Sequence, residues 1–373
     1  MGIAPGAKLI NLKVLDANGV GTDSQVISAI DTAISLKTKY NIRVMNLSLG
    51  RPVSESYVND PLCQAVERAW KAGIVVVVAA GNEGRNNSFG NSGYGTITAP
   101  GNDPYVITVG AMNPVHTFGR GDDKVASYSS KGPTLLDHVV KPDLVAPGNG
   151  VGSVRTFYTA LDNNPRVYHV MTIDYMDINT IPSYTVLSGT SMAAPMAAGA
   201  AALLIQKTPA LTPDQVKARL MKAASKSFPV SSVAKDPYST NSWTSYYDVF
   251  TIGAGYLDIA AALNNTDTFT GNALSPAAVY DPNTGQGSLQ FAAGSGLGGS
   301  SIVWGSSIVW GTSVLSGSSI VWGTSIVWGT SIVWGTNTDG STGFDKVWGS
   351  NAIWGANSKN VSEALDILLF GEN

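Results

Sequence analysis

The chain has 373 residues, of which 44% are hydrophobic and 13% charged, and its net charge is −3. This length and apolar content suffice for one large core or two smaller ones. A weakly acidic chain with scattered Lys and Arg lacks the electrostatic footprint of a nucleic-acid-binding protein or of one that binds an anionic membrane surface.

No transmembrane or secretory segment is predicted in this chain. The most apolar run, residues 74–80, is far shorter than the roughly 20 residues that span a bilayer. Residues 1–6 lack the basic start and apolar core of a signal peptide. The single cysteine, Cys63, cannot form an intrachain disulfide, and its neighbours indicate a buried structural thiol.

Strand and helix patterns alternate over residues 1–264. The run 74–80 is continuous and β-branched, which is typical of a strand covered on both faces in a parallel sheet. Alternation of this kind predicts an α/β fold with a doubly wound, mainly parallel sheet. The predicted strands lie at residues 9–15, 44–49, 74–80 and 105–109, and the predicted helices begin at a cap on Asp23, span 61–71 and 191–206, and begin again at a capping box of Thr212 and Gln215.

The composition changes after residue 264. Residues 265–300 are rich in Gly, Ser, Asn, Thr and Ala, which predicts a linker or a loosely ordered segment. Residues 301–336 then repeat a six-residue unit, and residues 337–373 form a tail. The sequence SIVWG begins at Ser301, Ser307, Ser319, Ser325 and Ser331, and SVLSG begins at Ser313.

The six-residue period favours β structure in the repeat. Six is a multiple of the two-residue period of a strand but not of the 3.6-residue period of a helix, so Ile and Trp share one face. One interpretation is a stacked-strand module that binds a ligand or self-associates. The alternative is a low-complexity tail that tends to aggregate, and the sequence does not decide between them.

The heptad Gly189-Thr190-Ser191-Met192-Ala193-Ala194-Pro195 carries the strongest chemical signal. Ser191 precedes an Ala-rich helical pattern, so it stands where unpaired N–H groups and the helix dipole favour negative charge. Taken alone, Thr190 or Ser191 could be only a helix N-cap.

Two further stretches follow predicted strands. Ala79-Ala80-Gly81-Asn82 ends the buried Val run, and Ser48-Leu49-Gly50 ends the strand before it. In an open α/β sheet, ligands bind outside the carboxyl ends of the strands. The alternatives are an ordinary Asn-Gly turn for the first stretch and a plain strand end for the second.

Together these three stretches resemble the subtilases, the subtilisin-like serine proteases, over residues 2–263. The resemblance implies peptide-bond hydrolysis with Ser191 as acyl-forming nucleophile and Asn82 as hydrogen-bond donor to the oxyanion. It implies that protein or peptide substrates bind between two walls. One wall is Ser48, Leu49 and Gly50, and the other is Ala79, Ala80 and Gly81.

The resemblance also implies a secreted protein that needs no cofactor. Calcium stabilises many family members, but no Asp/Glu cluster with calcium-loop spacing is present here. Residues 141–148 (KPDLVAPG) also match the family, and we interpret them as structural, with Asp143 not catalytic.

The base of the triad is missing from this sequence. Subtilases order their triad Asp, His, Ser, and the Asp and His segments precede a stretch like Gly2-Ile3-Ala4-Pro5-Gly6-Ala7. No HGTH-like motif occurs, and His116, His138 and His169 lack the sequence context of a general base. We therefore expect an N-terminally truncated subtilase with an open sheet edge and little or no activity alone, because a serine hydroxyl needs a base.

Two other functions stay open at this stage. A peptide-binding pseudoprotease would need the two walls but not an activated Ser191. A surface-attachment or self-assembly protein would act through the tryptophan repeats.

Overall fold

The computed structural model describes residues 2–16, 20–87, 91–115, 117, 119–159, 161–164, 166–170, 182–235, 240–281, 286–298, 308–310, 313–315, 319–321, 347–348 and 361–372. The helices are α1 Asp23–Tyr40, α2 Pro61–Lys71, α3 Thr190–Lys207, α4 Pro213–Ala223, α5 Val249–Ile252, α6 Ile259–Asn264 and α7 Val361–Phe370. The strands are β1 Gly21–Thr22, β2 Val44–Leu47, β3 Val75–Ala79, β4 Ile107–Asn113, β5 Lys124–Val125, β6 Leu144–Pro147, β7 Val151–Val154, β8 His169–Val170, β9 Tyr184–Leu187, β10 Ser231–Lys235, β11 Ser242–Tyr246, β12 Ala277–Asp281, β13 Gln286–Gln290, β14 Ile308–Trp310, β15 Ser313–Leu315, β16 Ser319–Val321 and β17 Val347–Trp348.

The valine strand β3 lies inside the largest sheet. It pairs in parallel with β2 on one side and β4 on the other, β4 pairs in parallel with β6, and β5 adds a short antiparallel pair to β4. Every residue of β3 is buried, so both of its faces are covered. The prediction of an α/β fold with a mainly parallel sheet is confirmed.

Helix α3 packs closely on this sheet because its inner face is built from alanines. Ala193, Ala197, Ala200 and Ala201 are all fully buried in the main core, and α3 contacts β2, β3, β4 and β6. Small side chains let the helix axis approach the strands. The start of α3 is thereby fixed against the carboxyl ends of the parallel strands, where a ligand site is expected.

The N-terminal part of the chain departs from two sequence predictions. Residues 9–15 form no strand: Leu9 is 93% exposed, and β2 has β3 as its one strand partner in the described sheet. Apolar alternation does not make a strand without a neighbour to pair with. The cap of α1 is Thr22, which shares a capping box with Gln25, while Asp23 is the first helical residue.

The other helix starts match their signals. Asp60 accepts a hydrogen bond from Leu62 N at the start of α2, and Thr212 forms the predicted capping box with Gln215 at the start of α4. Cys63, in α2, is fully buried, and burial raises the pKa of its thiol. No helix of the described residues has the length and apolarity required to cross a membrane.

Residues 265–281 and 286–298, which composition predicted as a linker, pack against the α/β body. Strands β12 and β13 form an antiparallel hairpin. Ala273 and Leu297 are buried against Ala218 and Met221 of α4. Small side chains are compatible with such packing as well as with a flexible chain, so composition alone does not separate the two.

The repeat region is described at three short strands, β14, β15 and β16, and β17 lies in the tail that follows it. β14 pairs with β15, β16 pairs with β13, and β17 pairs with β1, each in antiparallel fashion. The rest of residues 301–360 lies outside the described residues, as does the predicted stacking of the repeat. That module therefore stays a prediction, and so do the domain boundaries at 264, 300 and 336.

A buried charge network supports the segment that follows β4 and includes β6. Asp143 is fully buried, and its carboxylate lies 2.7 Å from Lys141 Nζ and 3.1 Å from Lys217 Nζ. Lys217 Nζ also donates to Pro104 O at 2.8 Å and to Ser275 Oγ at 2.8 Å. Burial alone would raise the pKa of Asp143, but the two ammonium groups outweigh it and hold that pKa below 3.8.

We expect Asp143→Asn to lower the free energy of unfolding by about 3–5 kcal/mol, because the buried amino groups of Lys141 and Lys217 lose the carboxylate that they share. Urea unfolding at neutral pH measures the loss. The matched control is Asp31→Asn, whose exposed pair with Arg68 is worth about 1 kcal/mol or less. Because the folded-state pKa is depressed, the wild-type contribution is present above pH 3.8 and is lost as the pH falls below it. Equal losses in the two variants would contradict the network's role.

Candidate active site

The predicted site residues meet where β2, β3 and α3 come together. Ser48 directly follows β2, Asn82 stands three residues after β3, and Ser191 is the second residue of α3. Because β2 and β3 are parallel, their carboxyl ends lie at the same edge of the sheet. The structure thus brings together Ser48 and Ser191, which are 143 residues apart in sequence, and places Asn82 beside the start of α3.

Ser191 lies beside the end of β2. Its Oγ donates to the backbone carbonyl of Ser48 at 3.3 Å, and Ser48 Oγ donates to the Ser191 carbonyl at 2.8 Å. The Ser191 side chain is largely buried, at 7% residue exposure. Its own N–H is in the first turn of α3, where N–H groups have no partner within the helix. A negative charge forming next to Ser191 Oγ would meet that N–H and the helix dipole.

Thr190 orients the Asn82 side chain. The Thr190 N–H donates to Asn82 Oδ1 at 3.0 Å, and Thr190 Oγ1 lies 3.0 Å from the same oxygen. With Oδ1 held by Thr190, Nδ2 is the end of the amide that is able to donate to a ligand. Asn82 is therefore locked as a hydrogen-bond donor at the helix start, as an oxyanion-binding residue must be.

The two predicted walls are joined by a third segment. Arg51 and Ala99 exchange backbone hydrogen bonds of 2.9 and 2.8 Å, and Thr98 N donates to Ala80 O at 3.1 Å. Thr98 therefore lies between the wall of Ser48, Leu49 and Gly50 and the wall of Ala79, Ala80 and Gly81. A Cβ on Gly50 would come within 2.4 Å of Thr98 Oγ1. Glycine at this position keeps the walls in contact with Thr98.

Gly81 combines a close approach with an unusual backbone conformation. Its φ is +106°, which side chains rarely tolerate, and a Cβ there would lie 2.8 Å from Ser130 Oγ and 2.9 Å from Thr98 Cγ2. Its carbonyl accepts from Ser130 N at 3.0 Å. This turn changes the direction of the chain after β3, so that Asn82 faces Thr190.

Neither described histidine is hydrogen-bonded to Ser191. His169 Nδ1 lies 3.1 Å from Thr185 Oγ1, and its Nε2 is 3.7 Å from Asp162. The backbone N–H of His138 donates to Thr134 O, and burial lowers the pKa of the His138 imidazole. His116 lies outside the described residues. His169 is thus hydrogen-bonded locally, and the local role of His138 stays a prediction.

Sequence reasoning missed the residues that orient the site. Thr190 lies within the quoted heptad, but only the contact with Asn82 reveals its role. Thr98 and Ser130 belong to none of the motifs in the sequence. Their role is visible only in the folded chain, where they lie so close to Gly50 or Gly81 that no Cβ would fit there. Among the described residues, no group of three or more His, Cys, Asp or Glu is placed to hold a metal ion.

Comparisons with known proteins agree with this architecture. The structure of fervidolysin from Fervidobacterium pennivorans, a keratinolytic enzyme related to subtilisin, matches with a TM-score of 0.51 and 24% identity over 72% of this chain and 34% of that one. This likeness defines the fold class, a subtilisin-like α/β protein. The family model described as the subtilase family matches residues 1–280, and the chain belongs to the subtilase family.

Two curated relatives are each similar to 60% of the chain. Serine protease AprX of Bacillus subtilis (strain 168) is 40% identical over 234 residues, which is 60% of this chain and 48% of AprX. Subtilisin DY of Bacillus licheniformis is 36% identical over 224 residues, which is 60% of this chain and 63% of that protein. The chain thus spans about half to just under two thirds of these relatives.

We expect Gly81→Ala to lower the free energy of unfolding by about 1–3 kcal/mol, because the new methyl group meets Thr98 and Ser130 at a positive φ. Urea unfolding measures this cost. Gly152→Ala is the matched control, since no atom lies within 4 Å of its Cβ position and its φ is not positive. If both variants unfold at the same urea concentration, the turn at Gly81 is not constrained as described.

Proposed function

We propose that this chain carries the nucleophile, the oxyanion donor and the substrate walls of a subtilisin-like serine endopeptidase. The observation that supports this most is the pair of Thr190 contacts that hold Asn82 Oδ1 and so direct Nδ2 as a donor beside Ser191. A plain N-cap serine would not need an oriented amide from another strand. The printed names of the relatives, a serine protease and a subtilisin, agree with the proposal.

The chemistry is acyl transfer. Ser191 Oγ attacks the scissile carbonyl carbon, and the negative charge that forms on the carbonyl oxygen is stabilised by Asn82 Nδ2 and the Ser191 N–H. The C–N bond then breaks, the amine leaves with a proton, and the acyl group stays on Ser191 until water releases it. Each cycle needs a base to accept the Oγ proton and later to return it to the leaving amine.

That base is not assigned to any residue of this sequence. We propose that the triad Asp and His belong to segments of the protein that the 373-residue sequence does not contain. In subtilisin, removal of the base lowers turnover by about 10⁶-fold and leaves roughly 10³–10⁴-fold catalysis over water. The chain alone should therefore show little or no proteolysis.

The substrate is proposed to be an extended peptide. Ser48, Leu49 and Gly50 end one parallel strand, and Ala79, Ala80 and Gly81 end its neighbour. An extended peptide binds such a strand end through its backbone, which tolerates many sequences. We also propose that the protein is secreted and that it self-associates through the tryptophan repeats.

Non-catalytic peptide binding is a second candidate. It is favoured by the hydrogen bond from Ser191 Oγ to Ser48 O, which engages the hydroxyl with backbone rather than with a described histidine. A fluorophosphonate probe tests this candidate, because it labels only an activated serine. Stoichiometric labelling of Ser191 in the pure chain would exclude mere binding.

The central experiment compares the 373-residue chain with a chain extended by the segments that this proposal requires. We expect casein hydrolysis by the extended chain, its abolition by Ser191→Ala, and little hydrolysis by the shorter chain. Hydrolysis by the shorter chain that Ser191→Ala abolishes would refute the need for further segments. An extended chain that contains an HGTH-like motif but shows no Ser191-dependent hydrolysis would refute the endopeptidase proposal.

In the active form, Asn82→Ala should reduce kcat by about 10²–10³-fold, the loss established for an oxyanion donor of subtilisin, with KM nearly unchanged. The reason is that Nδ2 interacts with charge that exists only in the transition state. Steady-state kinetics on a chromogenic peptide measure both constants. A rise in KM with an unchanged kcat would show that Asn82 binds the substrate instead.

A further inference from the structure

The end of helix α7 and the two residues after it pack on the α/β body; we call residues 361–372 the docking segment. Ile367, Leu368 and Leu369 are each 3–4% exposed. Leu368 and Leu369 form an apolar cluster with Val167, Leu187 and Met192, while Ile367 joins the main core. The segment is thus held by the burial of three consecutive apolar residues near the end of its helix.

Glu372 continues this docking with a buried carboxylate. It accepts hydrogen bonds from Arg85 Nη2 at 2.8 Å, from Ser127 N at 2.8 Å and from Ser127 Oγ. Asn149 binds the Glu372 backbone on both sides: its Oδ1 accepts from Glu372 N at 2.7 Å, and its Nδ2 donates to Glu372 O at 2.9 Å. A buried carboxylate with three donors, one of them charged, is a specific contact.

Gly371 makes this fit possible. It ends α7 with a φ of +61°, and a Cβ there would lie 2.3 Å from Asn149 Oδ1 and 2.5 Å from Ser188 Oγ. Any side chain would therefore clash with the groups that hold Glu372. We call the surface of the α/β body that binds the docking segment the groove. The contacts in this groove fit one sequence pattern: three apolar residues, one further residue, a glycine and a glutamate.

The docking segment touches the residues that flank Ser191 in sequence. Ser188 N donates to Leu368 O at 2.9 Å, and Met192 packs against the apolar cluster that contains Leu368 and Leu369. Ser188 is 2% exposed, so its N–H would be left buried without this carbonyl. One segment thus holds the chain three residues before the nucleophile and one residue after it.

We propose that the docking segment is a positioning element for Ser191. It sets the turn from β9 into α3 through Leu368 O and the Met192 contact, and the Glu372 carboxylate holds it in the groove. This rests on the proposed function only in taking Ser191 as the nucleophile. The segment also connects the C-terminal tail, which follows the repeat region, to the candidate active site.

Hydrogen exchange on the full chain tests the docking. Glu372→Ala removes the carboxylate, and we expect amides in residues 185–193 to exchange about tenfold faster or more, since a charge-assisted contact is lost. Asp366→Ala is the matched control, because the Asp366 carboxylate also belongs to the docking segment but pairs with Arg166 at the surface. Unchanged exchange in Glu372→Ala would overturn the proposal. Should that variant fail to fold, Gly371→Ala, which introduces only a methyl group, gives the same readout.

Thiol reactivity tests the positioning without requiring hydrolysis. In a Ser191→Cys background, we expect Glu372→Ala to raise the rate of iodoacetamide alkylation at position 191 severalfold, because the turn is no longer held. Cys63, which is fully buried, serves as the internal reference and should keep its rate. An unchanged rate at position 191 alongside faster exchange would leave the docking but refute the positioning role. Neither readout depends on proteolysis, so failure of the endopeptidase proposal is distinguished from failure of this one.

Discussion

The contact between Thr190 and Asn82 is the constraint on which the site depends. It joins the first residue of α3 to the chain that leaves β3, and both of these elements are fixed by burial. Because the β3 valines are covered on both faces and α3 lies close through its alanines, neither end can shift independently. The packing of the apolar core therefore fixes the positions of the polar residues at the sheet edge.

The same core separates two kinds of buried polar group. Asp143 lies in a segment that resembles the family, yet its two lysine partners occupy the carboxylate and leave it a structural role. Asn82 is also buried, but only its oxygen is bound by Thr190. A group whose partners use all of its hydrogen-bonding capacity supports the fold, whereas an oriented group with a donor left over is able to act on a ligand.

The sequence predicts the parts of this molecule that are decided locally. The capping box of α4, the β-branched run and the heptad at the start of α3 are patterns of neighbouring residues, and the structure contains the corresponding elements. Residues 9–15 show the limit, because a strand requires a partner that the pattern does not specify. Thr98 and Glu372 act through contacts with residues far away in sequence, and no periodicity reports such contacts. Their positions became visible only once the chain was folded.

The anchoring of Glu372 changes the physical character of the repeat region. The chain enters that region from the hairpin of β12 and β13 and leaves it through α7, and both are packed on the same body. The chain between residues 298 and 361 therefore begins and ends on the body that carries Ser191. Loss of the Glu372 contacts would release the second of these two attachments together with the start of α3.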